Sequence, residues 1–158
     1  MKYKHRIAFG EIVGFSCAYR IWNEQQLTLK TTSNLNAPVD SSKLHGYALS
    51  FFFTIEGEDN IALESYDAAW MNTYLEEIFR NTVIVAYDDP QIDTFRKLEE
   101  TEACDLRFIN AVGCQAFAHI LFDDMAPIIL ETSNNTIKLC DVTVKENGHY
   151  QASYTDLT

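Results

Sequence analysis

The sequence predicts an α+β fold, with alternating apolar strands and two amphipathic helices inside one domain spanning 1–158. Residues 6–19 and 44–56 read as long strands. In the second, His45, Tyr47, Leu49, Phe51, Phe53 and Ile55 share one face, and Gly46, Ala48, Ser50, Phe52 and Thr54 share the other. Between them lies NEQQLTLKTTSNLNAPVDSSK, a polar, turn-rich excursion whose length marks a functional or mobile loop. DAAWMNTYLEEIF (67–79) places Trp70, Met71, Tyr74, Leu75 and Ile78 on one helical stripe, with Asp67 as the N-terminal cap. TVIVAY (82–87) reads as a short buried strand, and Asp88, Asp89 and Pro90 as a turn. GCQAFAHILFDDM (113–125) gives the second amphipathic helix, carrying Phe117, Ile120 and Leu121. TIKLCDVTVKE (136–146) is the last strand. It sets Cys140, Val142, Val144 and Glu146 on one face, and Leu139, Asp141 and Thr143 on the other. The order β-β-α-β-α-β, with antiparallel hairpin signals, predicts two helices laid on one face of a single sheet.

A chain of 158 residues can bury a sizeable core, and 47% hydrophobic against 22% charged residues argues against disorder. The formal net charge is −11, from 12 Lys+Arg against 23 Asp+Glu, with no basic cluster. Such a surface repels polyanions, so neither nucleic acid nor an anionic membrane is an expected partner. No stretch reaches the roughly 18 consecutive apolar residues of a membrane span. MKYKHRIAFGEIVGF lacks the apolar core and small-residue cleavage site of a signal peptide. Cys17, Cys104, Cys114 and Cys140 show no CxxC spacing and read as reduced, mostly buried thiols of a cytoplasmic protein.

SSKLHGYALSFFF (41–53) runs from a polar turn into a strand and directs His45 and Tyr47 to one place. Two histidines at that spacing would suggest a metal site, yet one position holds a tyrosine.

Five segments carry a family likeness: GFSCAYRI (14–21), LHGYALSFFFTIEG (44–57), FRNTVIVAYDDP (79–90), GCQAFAHILFDDMAPII (113–129) and VTVKENGHYQASY (142–154). In order and spacing they resemble the 6-pyruvoyltetrahydropterin synthase and 6-carboxytetrahydropterin synthase family over nearly the whole chain. The resemblance implies the tunnelling fold (T-fold): a four-stranded antiparallel sheet with two helices, built into rings of three that stack into hexamers. It implies sites between subunits, and zinc held by three histidines, one in Ala-His-Arg and two in His-Gly-His. This sequence has Tyr19 at the first position, keeps His45, and has Tyr47 at the third. A catalytic zinc site takes three protein ligands plus water, and a phenol of pKa about 10 replaces imidazole poorly. No cofactor is therefore expected; the alternative is a residual metal site in which Cys17 joins His45.

Other positions implied by the resemblance are altered as well. Ser41 stands at the spacing of the acid/base cysteine, and its hydroxyl is far less acidic than a thiol of pKa about 8.5. Arg80 and Asn81 occupy the place of an Asp-His pair, and neither acts as a base near neutral pH. By position alone, those two residues read either as a helix C-terminus, where a cation complements the dipole, or as an anionic-ligand contact. Glu64 stands for an Asp, and Gln115 and Ala116 stand for Glu and Asn. Glu146 is kept, where the family glutamate anchors the pterin ring. A carboxylate can accept two parallel N–H bonds from a guanidine-like edge. Asn147 follows it in place of a threonine. Read without the resemblance, Glu146 is a solvated strand-end carboxylate. His119 reads as structural, and His5 and His149 carry no role.

Metal, thiol and dyad are replaced together. The expected function is a diverged, non-catalytic homologue that binds a pterin- or purine-like ligand through Glu146 and Asn147. One alternative is an active lyase of tetrahydropterin or 7-deazaguanine biosynthesis acting on dihydroneopterin triphosphate, with replacement ligands from 22–43 or a neighbouring subunit. Another is a ring subunit partnering an active paralogue, and the aromatic FFFTI segment fits such burial. A homo-oligomer, trimer or hexamer, is expected throughout.

Overall fold

A computed structural model describes residues 4–22, 41–148 and 150–156. Its elements are β1 (His5–Tyr19), β2 (His45–Gly57), α1 (Asn60–Glu64), α2 (Ala69–Phe79), β3 (Thr82–Ala86), α3 (Ile92–Glu100), β4 (Leu106–Ile109), α4 (Cys114–Thr132), β5 (Ile137–Glu146) and β6 (Tyr150–Thr155). The strands form one six-stranded sheet in the order β4-β3-β1-β2-β5-β6. The pairs β1–β2, β2–β5 and β5–β6 are antiparallel, whereas β3 runs parallel to both β1 and β4. The expected sheet of four antiparallel strands is thus corrected to a mixed sheet of six. Two strands make the difference: β4, within residues 91–109, and β6, which follows the strand at 136–146 that was expected to be the last. A parallel neighbour of β3 needs a crossover, and the nine-residue helix α3 supplies it.

The face of β2 predicted to be apolar is the buried one, with Phe51, Phe53 and Ile55 fully enclosed. Met71, Leu75 and Phe79 of α2 and Phe117, Leu121, Met125 and Ile129 of α4 cover it. Each such side chain, fully enclosed, contributes about 1.5–3 kcal/mol of burial. Helix α4 runs seven residues past its expected end, through Pro127, because Met125 and Ile129 extend its apolar stripe. Asp67 lies one residue before the cap position of α2, from which its carboxylate accepts the Ala69 N–H at 3.1 Å.

Bulges rewrite the simple alternation. Strand β1 slips register against β2 twice, between Phe9 and Ile12 and between Ile12 and Phe15. Gly14, at φ +97°, takes up the second slip in a backbone region that other residues rarely adopt. In β5 a further slip pairs Thr54 with Asp141 but Ile55 with Leu139, leaving Cys140 as the extra residue. Leu139 therefore joins Val142 and Val144 in the core, a correction to its predicted face. The Cys140 thiol instead donates to the Thr54 carbonyl at 3.2 Å.

A second, smaller core gathers Val85, Phe95 and Leu106, with Val83, Ile92 and Phe108 packed against it. Val83 and Val85 alternate with Ile84 and Ala86, which face the main core, so α3 lies on the opposite side of the sheet from α2 and α4. The helices are not confined to one face. The β4 edge is blunted by the chain itself: Glu99 accepts the Leu106 N–H at 2.8 Å, and Arg107 donates to the Leu106 carbonyl at 2.8 Å. At the other edge, β6 carries neither charge nor proline. No helix among the described residues is long and apolar enough to cross a membrane.

Candidate functional site

Tyr19 ends β1 opposite His45, and Cys17 lies opposite Tyr47, so the antiparallel register gathers these groups at one end of the sheet. Tyr19 is wholly buried and Tyr47 is 6% exposed. Their rings stack with centroids 4.2 Å apart and planes 22° apart. Phe117 of α4 meets the Tyr19 ring edge-on at 5.2 Å, and the His45 ring lies 6.4 Å from that of Tyr47. The Tyr19 hydroxyl donates to Glu146 Oε2 at 3.0 Å, and the Cys114 thiol approaches the same oxygen at 3.6 Å.

Glu146 reaches this spot because β5 ends opposite Leu49 of β2. It is 5% exposed, which corrects the reading of a solvated strand-end carboxylate. Cys114 is the first residue of α4, so the carboxylate lies beside a helix N-terminus, whose partial positive charge favours it. Gly113 before it has φ +112°, and a side chain there would be strained.

Burial first, and the Glu146 charge second, push the Tyr19 phenol well above its ordinary value of 10.0. The same two causes push the Cys17 thiol up to about 12. Both groups are protonated near neutral pH. The folded protein holds these protons more tightly than the unfolded chain, so their contribution is complete below about pH 9 and is lost as pH rises further. Tyr19→Phe is expected to cost about 2 kcal/mol at pH 7, because the buried carboxylate loses a donor. The same change should flatten the alkaline loss of stability, measured by urea melts between pH 8 and 11.

The remaining predicted residues are placed as follows. Ser41 is buried; its carbonyl accepts the Ile21 N–H at 2.7 Å, and its hydroxyl has no partner among the described residues. Arg80 caps the C-terminus of α2, pairs with Glu76 at 3.0 Å and lies over the Phe15 ring at 5.4 Å. Asn81, at φ +55°, donates its backbone N–H to the Ser16 carbonyl at 2.7 Å. Asn147 binds Ala48 twice, accepting its N–H through Oδ1 and donating its own N–H, both at 2.8 Å, which ties β5 to β2. Glu64, exposed on α1, accepts from Asn60 at 3.1 Å. His119 stacks on Tyr154 at 4.3 Å and pairs with Asp123 at 3.1 Å. The excursion at 23–40 and His149 lie outside the described residues. Among the described residues, no three or more His, Cys, Asp or Glu gather into a metal-binding group.

Sequence reasoning missed a clamp beside the site. Arg20 donates Nε and Nη2 to the two oxygens of Asp89 at 2.9 and 2.7 Å, and Nη1 to the Ser42 carbonyl at 2.9 Å. Asp89 also accepts the Gln91 N–H at 2.8 Å, so within the turn that the sequence predicts this residue is a buried strut. The available signal was an arginine directly after an apolar strand, with an acidic pair before Pro90. Cys114 was likewise missed as a neighbour of Glu146.

Long antiparallel strands backed by two helices, closing at one end on a buried carboxylate, define a single-sheet α+β protein with its candidate site at the strand ends. Residues 11–156 match the model of the 6-pyruvoyl tetrahydropterin synthase family, and the chain belongs to that family. In fold it is similar to an uncharacterised protein of Wolinella succinogenes at 16% identity, TM-score 0.72, covering 98% of this chain and 99% of that one. It is also similar to 6-pyruvoyl tetrahydropterin synthase of Caenorhabditis elegans, at 17% identity, TM-score 0.55 and 96% of each chain. A catalytic-residue mutant of the Plasmodium vivax 6-pyruvoyltetrahydropterin synthase matches at 12% identity and TM-score 0.51, over 95% of this chain and 97% of that one. No curated protein matches the sequence significantly.

Proposed function

We propose that this chain is a diverged, non-catalytic member of its family that retains Glu146 as the anchor for a pterin- or purine-like ligand. The observation that supports this reading is the Tyr19 phenol, neutral and buried, donating to Glu146 at 3.0 Å from the position of a family zinc ligand. Zinc needs deprotonated or neutral lone-pair donors converging on one point. Tyr19, His45 and Tyr47 offer one imidazole and two phenols, and the Tyr19 hydroxyl is already engaged, so the set does not fit zinc. Ser41, Arg80 and Asn81 supply no base of the family's kind. Glu146 suits a guanidine-like edge. Asn147 has its side-chain oxygen engaged by Ala48, which leaves its amide N–H groups as the part suited to a ligand. The net charge of −11 supports a soluble, cytoplasmic setting without nucleic-acid or membrane partners.

Protein purified without chelators is expected to carry substoichiometric zinc and to leave dihydroneopterin triphosphate unchanged. Stoichiometric zinc together with chelator-sensitive turnover would overturn the reading in favour of an active lyase. A ring subunit is the second reading, supported by two strand edges. Among the described residues, only Cys17–Tyr19 of β1 pair with β3, and the rest of that edge pairs with none of them; β6 is uncharged. Native mass spectrometry is expected to give a trimer or hexamer, and co-purification with an active paralogue would favour this second reading.

A further inference from the structure

We infer that Tyr19 is an internal occupant of the Glu146 centre, withholding the carboxylate from planar, N–H-bearing heterocycles until its side chain leaves. The inference rests on the ligand reading above. A heterocycle held by a carboxylate needs an aromatic face to stack on and donors aimed at the oxygens. Tyr19 satisfies both needs from within the chain. Its ring lies on Tyr47 at 4.2 Å and against the edge of Phe117 at 5.2 Å, and its hydroxyl donates to Glu146 at 3.0 Å. It offers one O–H where a 2-amino heterocycle offers two N–H groups. No solvent-exposed face of Tyr19 remains through which a ligand could share the space. Occupation by one excludes the other.

Such competition lowers the apparent affinity by the fraction of molecules with Tyr19 displaced. Removing the side chain lifts that factor. Biopterin is the probe, titrated calorimetrically into wild type, Tyr19→Ala, Tyr19→Leu and the Tyr19→Ala/Glu146→Gln double variant. Circular dichroism verifies that each chain is folded. Leucine keeps apolar volume, so that variant carries the test if the alanine chain does not fold, with Glu146→Gln then added to it.

The expected result is biopterin binding at least about tenfold tighter in the Tyr19 variant than in wild type, which corresponds to about 1.4 kcal/mol. The gain should vanish when Glu146→Gln is added. Equal binding by wild type and a folded Tyr19 variant overturns the internal-occupant inference while leaving the ligand reading in place. A gain that survives Glu146→Gln overturns it too, because the cavity rather than the carboxylate would then be responsible. Absence of binding in every chain overturns both.

Discussion

Asp89→Ala is expected to destabilise the fold by about 3 kcal/mol, read as a lower urea midpoint at unchanged slope. Asp89 is almost wholly buried and takes both prongs of the Arg20 guanidinium, at 2.9 and 2.7 Å. Removing it strands a cation with 18% of its side chain exposed, which solvent relieves in part. That places the cost at the low end of the range of about 3–5 kcal/mol for breaking a buried pair. The Gln91 N–H at the start of α3 loses its acceptor as well. Replacing both partners by apolar residues, Arg20→Met with Asp89→Leu, should recover much of the loss, since no charge is then left behind. A single variant as stable as wild type would mean that the clamp contributes nothing.

Phe117→Ala is expected to cost about 4 kcal/mol, the largest effect at the site. The ring is fully buried, edge-on to Tyr19 at 5.2 Å and tilted against Phe79 at 5.1 Å, so its loss opens a cavity with two aromatic walls. Phe117→Leu retains most of the volume and should cost under about 1.5 kcal/mol. The alanine variant should also lose near-ultraviolet circular dichroism, because the Tyr19–Tyr47 stack loses its support. A thermal melt within a degree of wild type would remove Phe117 from the core argument.

Much of this architecture was legible in local periodicity. The long strands, α2 and the start of α4 follow from side chains that alternate by two or recur by turns, and β2 keeps its predicted face buried from Tyr47 to Ile55. What was not legible is of two kinds. Bulges depend on how one strand meets another, so the turn of Leu139 into the core follows from the register of β5 against β2 and not from the alternation within β5. The segment 91–109 held a nine-residue helix and a four-residue strand, both short enough to read as connection between longer elements. At the site, Tyr19 and Glu146 are 127 positions apart, and Arg20 and Asp89 are 69 apart. Residue types could nominate Tyr19 and Glu146 separately. Only the fold joins them, through the hydrogen bond from the Tyr19 hydroxyl to the carboxylate.

The β3–α3–β4 flap meets β1 at only three rungs, Cys17–Thr82, Ala18–Val83 and Tyr19–Ile84. It carries a small hydrophobic core of its own. The flap is also tied down beyond those rungs, by Ile84 and Ala86 in the main core and by Asp89 in the grip of Arg20. The rung at one end of that seam belongs to Tyr19, so peeling the flap from that end would first break the Arg20–Asp89 pair and then tug on the backbone of the residue that plugs the carboxylate.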